Sequence, residues 1–252
     1  MRLRILTYNM HKGFCFYSRQ YVLRELREAI RSVDADIVFL QEVMGVHPVD
    51  MPAEELDSQF EYLADEIWTH FAYGKNAIYS AGHHGNAILS KYPFEQYENI
   101  NVSTNKLEKR GLLHATVKMT DQMLHLVCLH FDLLERGRRQ QMQSLIDRVR
   151  SAVPADCPLI VAGDFNDWKR KISDPLSEEL GLAESGVMFT GQHAKTFPCW
   201  RPLLALDRVY IRRFRVCDYQ VLYGVPWRRM SDHAAVLTEL EITGGSAGRR
   251  ED

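Results

Sequence analysis

Apolar residues recur along this chain in two rhythms, every second position in some runs and every third or fourth in others, and the two alternate from one end to the other. Residues 3–8 read as a strand with Leu3, Ile5 and Thr7 on one face. Val22, Leu23, Leu26, Ile30 and Val33 then fall at helical spacing, with Ser18 as the expected cap, and residues 37–43 form a second apolar strand. Strand, helix and strand in that order predict a layered α/β fold.

The same reading places a helix over residues 50–66, with Leu56, Phe60, Leu63 and Ile67 as its buried stripe and seven acids but no bases across the segment. His83 and His84 are expected in a surface loop before a strand that stops at Pro93, since adjacent side chains on an extended chain face opposite ways and make a poor metal pair. Strands are predicted at 112–119 and 123–130. A helix follows on Met142, Leu145, Ile146 and Val149, approached through Arg136, Arg138 and Arg139, and then a buried strand runs from Pro158. A short helix over 176–180 closed by Gly181, strands at 204–211, 216–222 and 234–242, and a frayed Gly-rich tail over 244–252 complete the pattern. No internal linker or repeat divides it, so residues 1–243 are expected to form one domain.

Composition narrows the partners. Thirty-one Lys and Arg against 33 Asp and Glu give a net charge of −2, so nothing draws the whole chain toward a polyanion, and any polyanion must be held locally. Five scattered cysteines without a CxxC pair argue for reduced thiols in a cytoplasmic protein and against a zinc site. No integral membrane segment and no secretory leader are expected, and no obligate protein partner is readable.

Chemistry-bearing side chains gather where apolar runs end. The run Pro158–Val161 leads into Ala162-Gly163-Asp164-Phe165-Asn166, which delivers two oxygen donors two residues apart and therefore facing one way. Such hard donors suit Mg²⁺ or Mn²⁺ and the activation of water. Asn9, Glu42, His130, Asp207, Asp232 and His233 stand at other strand ends, where ligands bind in layered α/β folds.

Taken together, Thr7-Tyr8-Asn9, Leu40-Gln41-Glu42, Gly85-Asn86-Ala87-Ile88-Leu89-Ser90, Leu129-His130, Gly163-Asp164-Phe165-Asn166, Leu206-Asp207-Arg208-Val209 and Ser231-Asp232-His233 resemble, in order, the endonuclease/exonuclease/phosphatase superfamily of metal-dependent phosphoesterases. The resemblance implies a four-layered α/β sandwich, two mixed β-sheets packed face to face with helices outside. It implies Glu42 as the main ligand of Mg²⁺ (or Mn²⁺), with Asn9 and Asp232 beside it. Asp164 and Asn166 would place the attacking water and hold the phosphate. His233, oriented by Asp207, and His130 would assist proton transfer and bind phosphoryl oxygens, and Asn86 would lie on the substrate side.

Arg110 is a candidate phosphate contact or a surface charge, and Trp227 and Arg228 are candidates for an aromatic face and a cation toward a base, a sugar or a lipid headgroup, or for plain packing. Seven arginines against two aspartates between residues 201 and 229 predict a locally basic rim. Neither a long basic loop for tracking duplexes nor a long apolar hairpin for entering a bilayer is visible. The expected partner is therefore a phosphoester, most simply a small, lipid-derived or nucleic-acid phosphodiester. A DNA or RNA nuclease is the alternative, and a non-catalytic scaffold is disfavoured because every acid, amide and histidine position is filled.

Overall fold

The computed structural model describes residues 1–15, 17–18, 20–46, 58–64, 67–79, 82–105, 108–120 and 122–243. In chain order the strands are β1 (Arg2–Asn9), β2 (Ile37–Val46), β3 (His70–Tyr79), β4 (Gly82–Ser90), β5 (Phe94–Asn101), β6 (Gly111–Lys118), β7 (Met123–His130), β8 (Leu159–Asp164), β9 (Ala183–Glu184), β10 (Asp207–Arg212), β11 (Phe214–Leu222) and β12 (Ala235–Ile242). The helices are α1 (Leu23–Ser32), α2 (Gln59–Ala64), α3 (Glu135–Ala152), α4 (Ser173–Leu180), α5 (Ser185–Thr190) and α6 (Trp227–Met230).

Two six-stranded mixed sheets result, ordered β11-β12-β1-β2-β4-β3 and β5-β6-β7-β8-β10-β9. Each is built around one parallel pair, β1 with β2 and β7 with β8. Parallel neighbours need a crossover, and α1 and α3 supply it on the outer faces. Burial follows this plan. Leu3, Ile5, Phe39 and Ile88 of the first sheet meet Leu113, Leu126, Cys128 and Ile160 of the second in a shared core. Leu6, Tyr8, Val38 and Leu40 pack under α1, α2 and α6, and Val127, Leu129 and Val161 under α3 and α4. The four-layered sandwich follows from strands that are apolar on both faces.

The differences from the sequence expectation have local causes. α1 begins at Leu23 with Val22 at its cap position and no side-chain capping bond, whereas the Ser18 hydroxyl accepts from the Gln20 backbone N–H in a preceding turn. His83 and His84 lie in β4, not in a surface loop, and His83 Nδ1 is 2.9 Å from the Tyr73 hydroxyl of the neighbouring strand. The strand expected from residue 204 begins at Asp207. β3 and β5 were not expected; β5 is an edge strand with a largely exposed polar sequence, so no alternation marks it. Of the expected acidic helix, Gln59–Ala64 is helical while residues 47–57 and 65–66 lie outside the described residues, as does the tail 244–252.

Candidate active site

The carboxyl ends of β1, β2, β7 and β8 and the starts of β10 and β12 converge on one rim. Asn9, the last residue of β1, donates from Nδ2 to Asp164 Oδ2 at the end of β8 (3.2 Å) and to Glu42 Oε1 (3.4 Å), bridging the two sheets. Glu42 reaches it because β2 is irregular there: pairing with β4 shifts between Leu40 and Val43, and Glu42 takes a left-handed conformation at φ 57°. Bulges of this kind re-aim a side chain, here out of the sheet and into the rim.

Asp164 is placed by a backbone that only glycine tolerates. Gly163 sits at φ 146°, and a Cβ there would lie 1.9 Å from the Leu129 carbonyl oxygen of β7. That approach brings Asp164 opposite both histidines. His130 Nε2 is 3.4 Å and His233 Nε2 3.8 Å from Asp164 Oδ2. Asp164 Oδ1 accepts from the Asn166 backbone N–H (2.9 Å), and the Asn166 amide donates to the Phe131 carbonyl (2.9 Å).

His233 Nδ1 stands 2.8 Å from Asp207 Oδ2. Ser231 locks this corner: its hydroxyl donates to the Asn9 carbonyl (2.7 Å) and accepts from the His233 backbone N–H (3.1 Å). Thr196, fully buried, accepts from the Asp207 N–H (3.1 Å).

Charge separates the two histidines. Burial works against a charged His233, but the carboxylates of Asp207 and Asp164 and the Asp207 hydrogen bond outweigh it, and its pKa is pushed up to about 10. His130 goes the other way, well below the ordinary value, because burial and the nearby charges of Arg110 and His233 disfavour its cation. Burial lifts Asp164 to about 6, with His233 lowering it and Asp207 raising it.

Asp164, Asp207 and His233 offer ligand atoms within 4.8 Å of one another. With His233 charged and held by Asp207, that trio is an ion-paired unit. The hard oxygen donors beside it are Glu42, Asn9 and Asp232, whose Oδ1 lies 3.4 Å from His11 Nδ1. That donor set, two half-buried carboxylates and a buried amide oxygen, fits a hard divalent cation.

Other candidates fall outside this cluster. Asn86 donates to the carbonyls of Gly111 and Cys128 behind the rim, tying the sheets together. Trp227 is buried in the core under α1, edge-on to Tyr8 at 5.4 Å, so its ring packs and offers no face to a ligand. Arg228 is exposed at the rim, and Arg110 pairs with Glu108 at 3.3 Å beside the His130 corner.

Three contributors escaped the sequence reading. His11, two residues past β1 at φ 46°, reaches Asp232. Arg208, next to Asp207 in sequence, forms a buried ion pair with Asp167 (3.2 Å) and donates to its carbonyl (2.7 Å), pinning the loop after Asn166 to β10. Asp167, adjacent to the conspicuous Asn166, was the available signal.

Two mixed sheets under helices, with acids and histidines at one shared rim, define the architecture of the phosphoesterases named above as a resemblance. The chain belongs to the Endonuclease/Exonuclease/phosphatase family, whose profile matches residues 6–233. The Escherichia coli (strain K12) protein named "Uncharacterized protein YbhP" is 45% identical over 244 residues, covering 95% of this chain and 96% of its own. An endonuclease/exonuclease/phosphatase from Bacteroides vulgatus superposes with a TM-score of 0.76 at 20% identity, covering 96% of this chain and 99% of its own. TDP2 from D. rerio, in a structure complexed with a single-strand DNA product, superposes at 0.70 and 20% identity, over 95% and 99%. Family members of this fold are hydrolytic phosphoesterases that generally depend on a divalent metal.

Proposed function

We propose that this protein is a phosphodiesterase that cleaves a P–O bond with the aid of Mg²⁺ or Mn²⁺. The observation that carries the reading is the Asp207–His233–Asp164 unit, a buried imidazolium between two carboxylates at the end of the strands. Glu42, Asn9 and Asp232 would hold the cation, and its positive charge would offset the charge that develops on the phosphoryl and leaving oxygens.

The chain's own groups do the rest. His233 Nε2, kept protonated and fixed in orientation by Asp207, donates to a phosphoryl oxygen as negative charge builds there. Asp164, poised near 6, accepts the proton of the attacking water, and Asn9 and the Asn166 N–H hold its carboxylate in place. His130, neutral, offers a hydrogen bond from the opposite side and adds no positive charge beside the cation. Arg110 and Arg228 provide positive charge at the two sides of the opening.

A nuclease reading has one observation in its favour, the likeness to TDP2, which shows the fold alone. The test is hydrolysis of bis(p-nitrophenyl) phosphate and p-nitrophenyl phosphate with Mg²⁺, with Mn²⁺ and with EDTA. Diester turnover should require metal and fall by roughly 10³-fold or more in Asp164→Asn. Undiminished turnover in that variant, or in EDTA, would remove the proposal.

A further inference from the structure

The loops around the opening are unusually apolar for solvent-facing segments. On the β7–β8 side Leu133 and Leu134 are 49% and 68% exposed and Trp168 is 40% exposed. They form one patch, because Arg138 donates to the Leu133 carbonyl (2.5 Å) and lays its guanidinium 4.3 Å over the Trp168 ring. On the β1–β12 side Tyr17 and Trp200 meet at 5.3 Å between ring centres, and Leu203 and Val225 are 55% and 60% exposed. Here too the loops are joined, by the Cys199 thiol donating to the Arg228 carbonyl (3.5 Å).

Both patches lie in loops at the strand ends that carry the active-site cluster, one on either side of it. Scattered exposed apolar residues need no explanation, but groups that ring a catalytic opening do. Exposed cations are interleaved with them: Arg136 and Arg170 beside the first patch, Arg201, Arg228 and Arg229 beside the second. Among the described residues, neighbouring acids are already matched, Glu135 by Lys169, Lys171 and Arg139, Asp167 by Arg208, and Glu108 by Arg110.

We infer that this rim docks on an anionic phospholipid surface, so that the phosphodiester cleaved is one presented at a lipid–water interface; the substrate half of this inference rests on the phosphodiesterase reading above. Charge complementarity favours an anionic partner. The aliphatic members choose between the two anionic surfaces available. Leu133, Leu134, Leu203 and Val225 have no ring to stack on a base and no donor for a phosphate, yet they suit the acyl boundary beneath headgroups, with Tyr17, Trp168 and Trp200 at headgroup level. A single-stranded nucleic acid would instead be met by aromatic faces and cations alone.

The test is flotation of the full chain with vesicles of phosphatidylcholine alone and of phosphatidylcholine mixed with phosphatidylglycerol, with an oligonucleotide as the competing ligand. Binding should require the anionic lipid and weaken with salt. The variant pair Leu134→Ser and Leu203→Ser should each weaken it roughly tenfold, while turnover of soluble bis(p-nitrophenyl) phosphate stays unchanged. Binding measured without turnover keeps this inference separate from the phosphodiesterase reading. It is overturned if neither vesicle binds, if binding ignores both leucines, or if the oligonucleotide binds and the vesicles do not.

Discussion

Of the histidine pairs in this sandwich, His130 with His233 at the rim and His114 with His125 on the second sheet contain two rings of opposite electrical fate, His233 and His114. At the rim, His233 is wedged between Asp207 and Asp164 and carries a proton to about pH 10. On the outer face of the second sheet, His114 of β6 stands 3.0 Å from His125 of β7, and Arg148 of α3 donates to His114 Nδ1 (3.0 Å). Burial, Arg148 and His125 push His114 down to about 4, so it stays neutral. Burial and residue type are shared. The sign of the neighbours decides, and it separates a charged ring from a neutral one.

Asp207→Asn should erase the contrast at the rim. Removing the largest stabiliser of the imidazolium, it is expected to lower kcat by about 10²- to 10³-fold with little change in thermal midpoint. An unchanged rate would mean that Asp207 does not govern His233.

Acid should expose the second pair. His114 is neutral in both folded and unfolded chains at pH 7. Below about 6.5 the unfolded chain binds a proton that the folded chain refuses until about pH 4. Its contribution therefore falls as pH drops through that window, by roughly 2 kcal/mol at pH 5. Urea unfolding at pH 7 and pH 5, compared between wild type and His114→Gln, reads this directly: the variant should lose less stability on acidification. The smallest effect is expected from Arg148→Met. It leaves His114 Nδ1 without its donor at a cost of about 1 kcal/mol, and the His114 titration followed by NMR should move up toward the ordinary histidine range.

Most of the layered architecture was legible, because β1, β2, β7 and β8 are buried on both faces and read as apolar runs that end in polar residues. The residues gathered at the rim were legible for the same reason, since a strand end is a position in sequence as well as in space. What stayed hidden depends on partners distant in the chain. The edge strand β5 owes its conformation to pairing with β6, and its own side chains carry no rhythm. Arg208 follows Asp207 directly, but on a strand adjacent residues face opposite ways, so its guanidinium turns to Asp167 while Asp207 turns to His233. For Trp227 the sequence left a ligand-facing ring and plain packing open, and the single turn α6 decides for packing, with the ring buried and the arginines exposed.

The hydrogen bond from Ser231 to the carbonyl of Asn9 spans 222 positions of sequence, and β1 lies between β2 and β12, the last strand among the described residues. A nascent chain that has emerged through β10 already holds Glu42, His130, Asp164 and Asp207, but neither the partner strand that flanks Asn9 nor the imidazole that Asp207 orients. The proposed centre is thus assembled last: Asp207 meets His233 and Asn9 is held by Ser231 in the same event that docks β12 beside β1 and closes the first sheet.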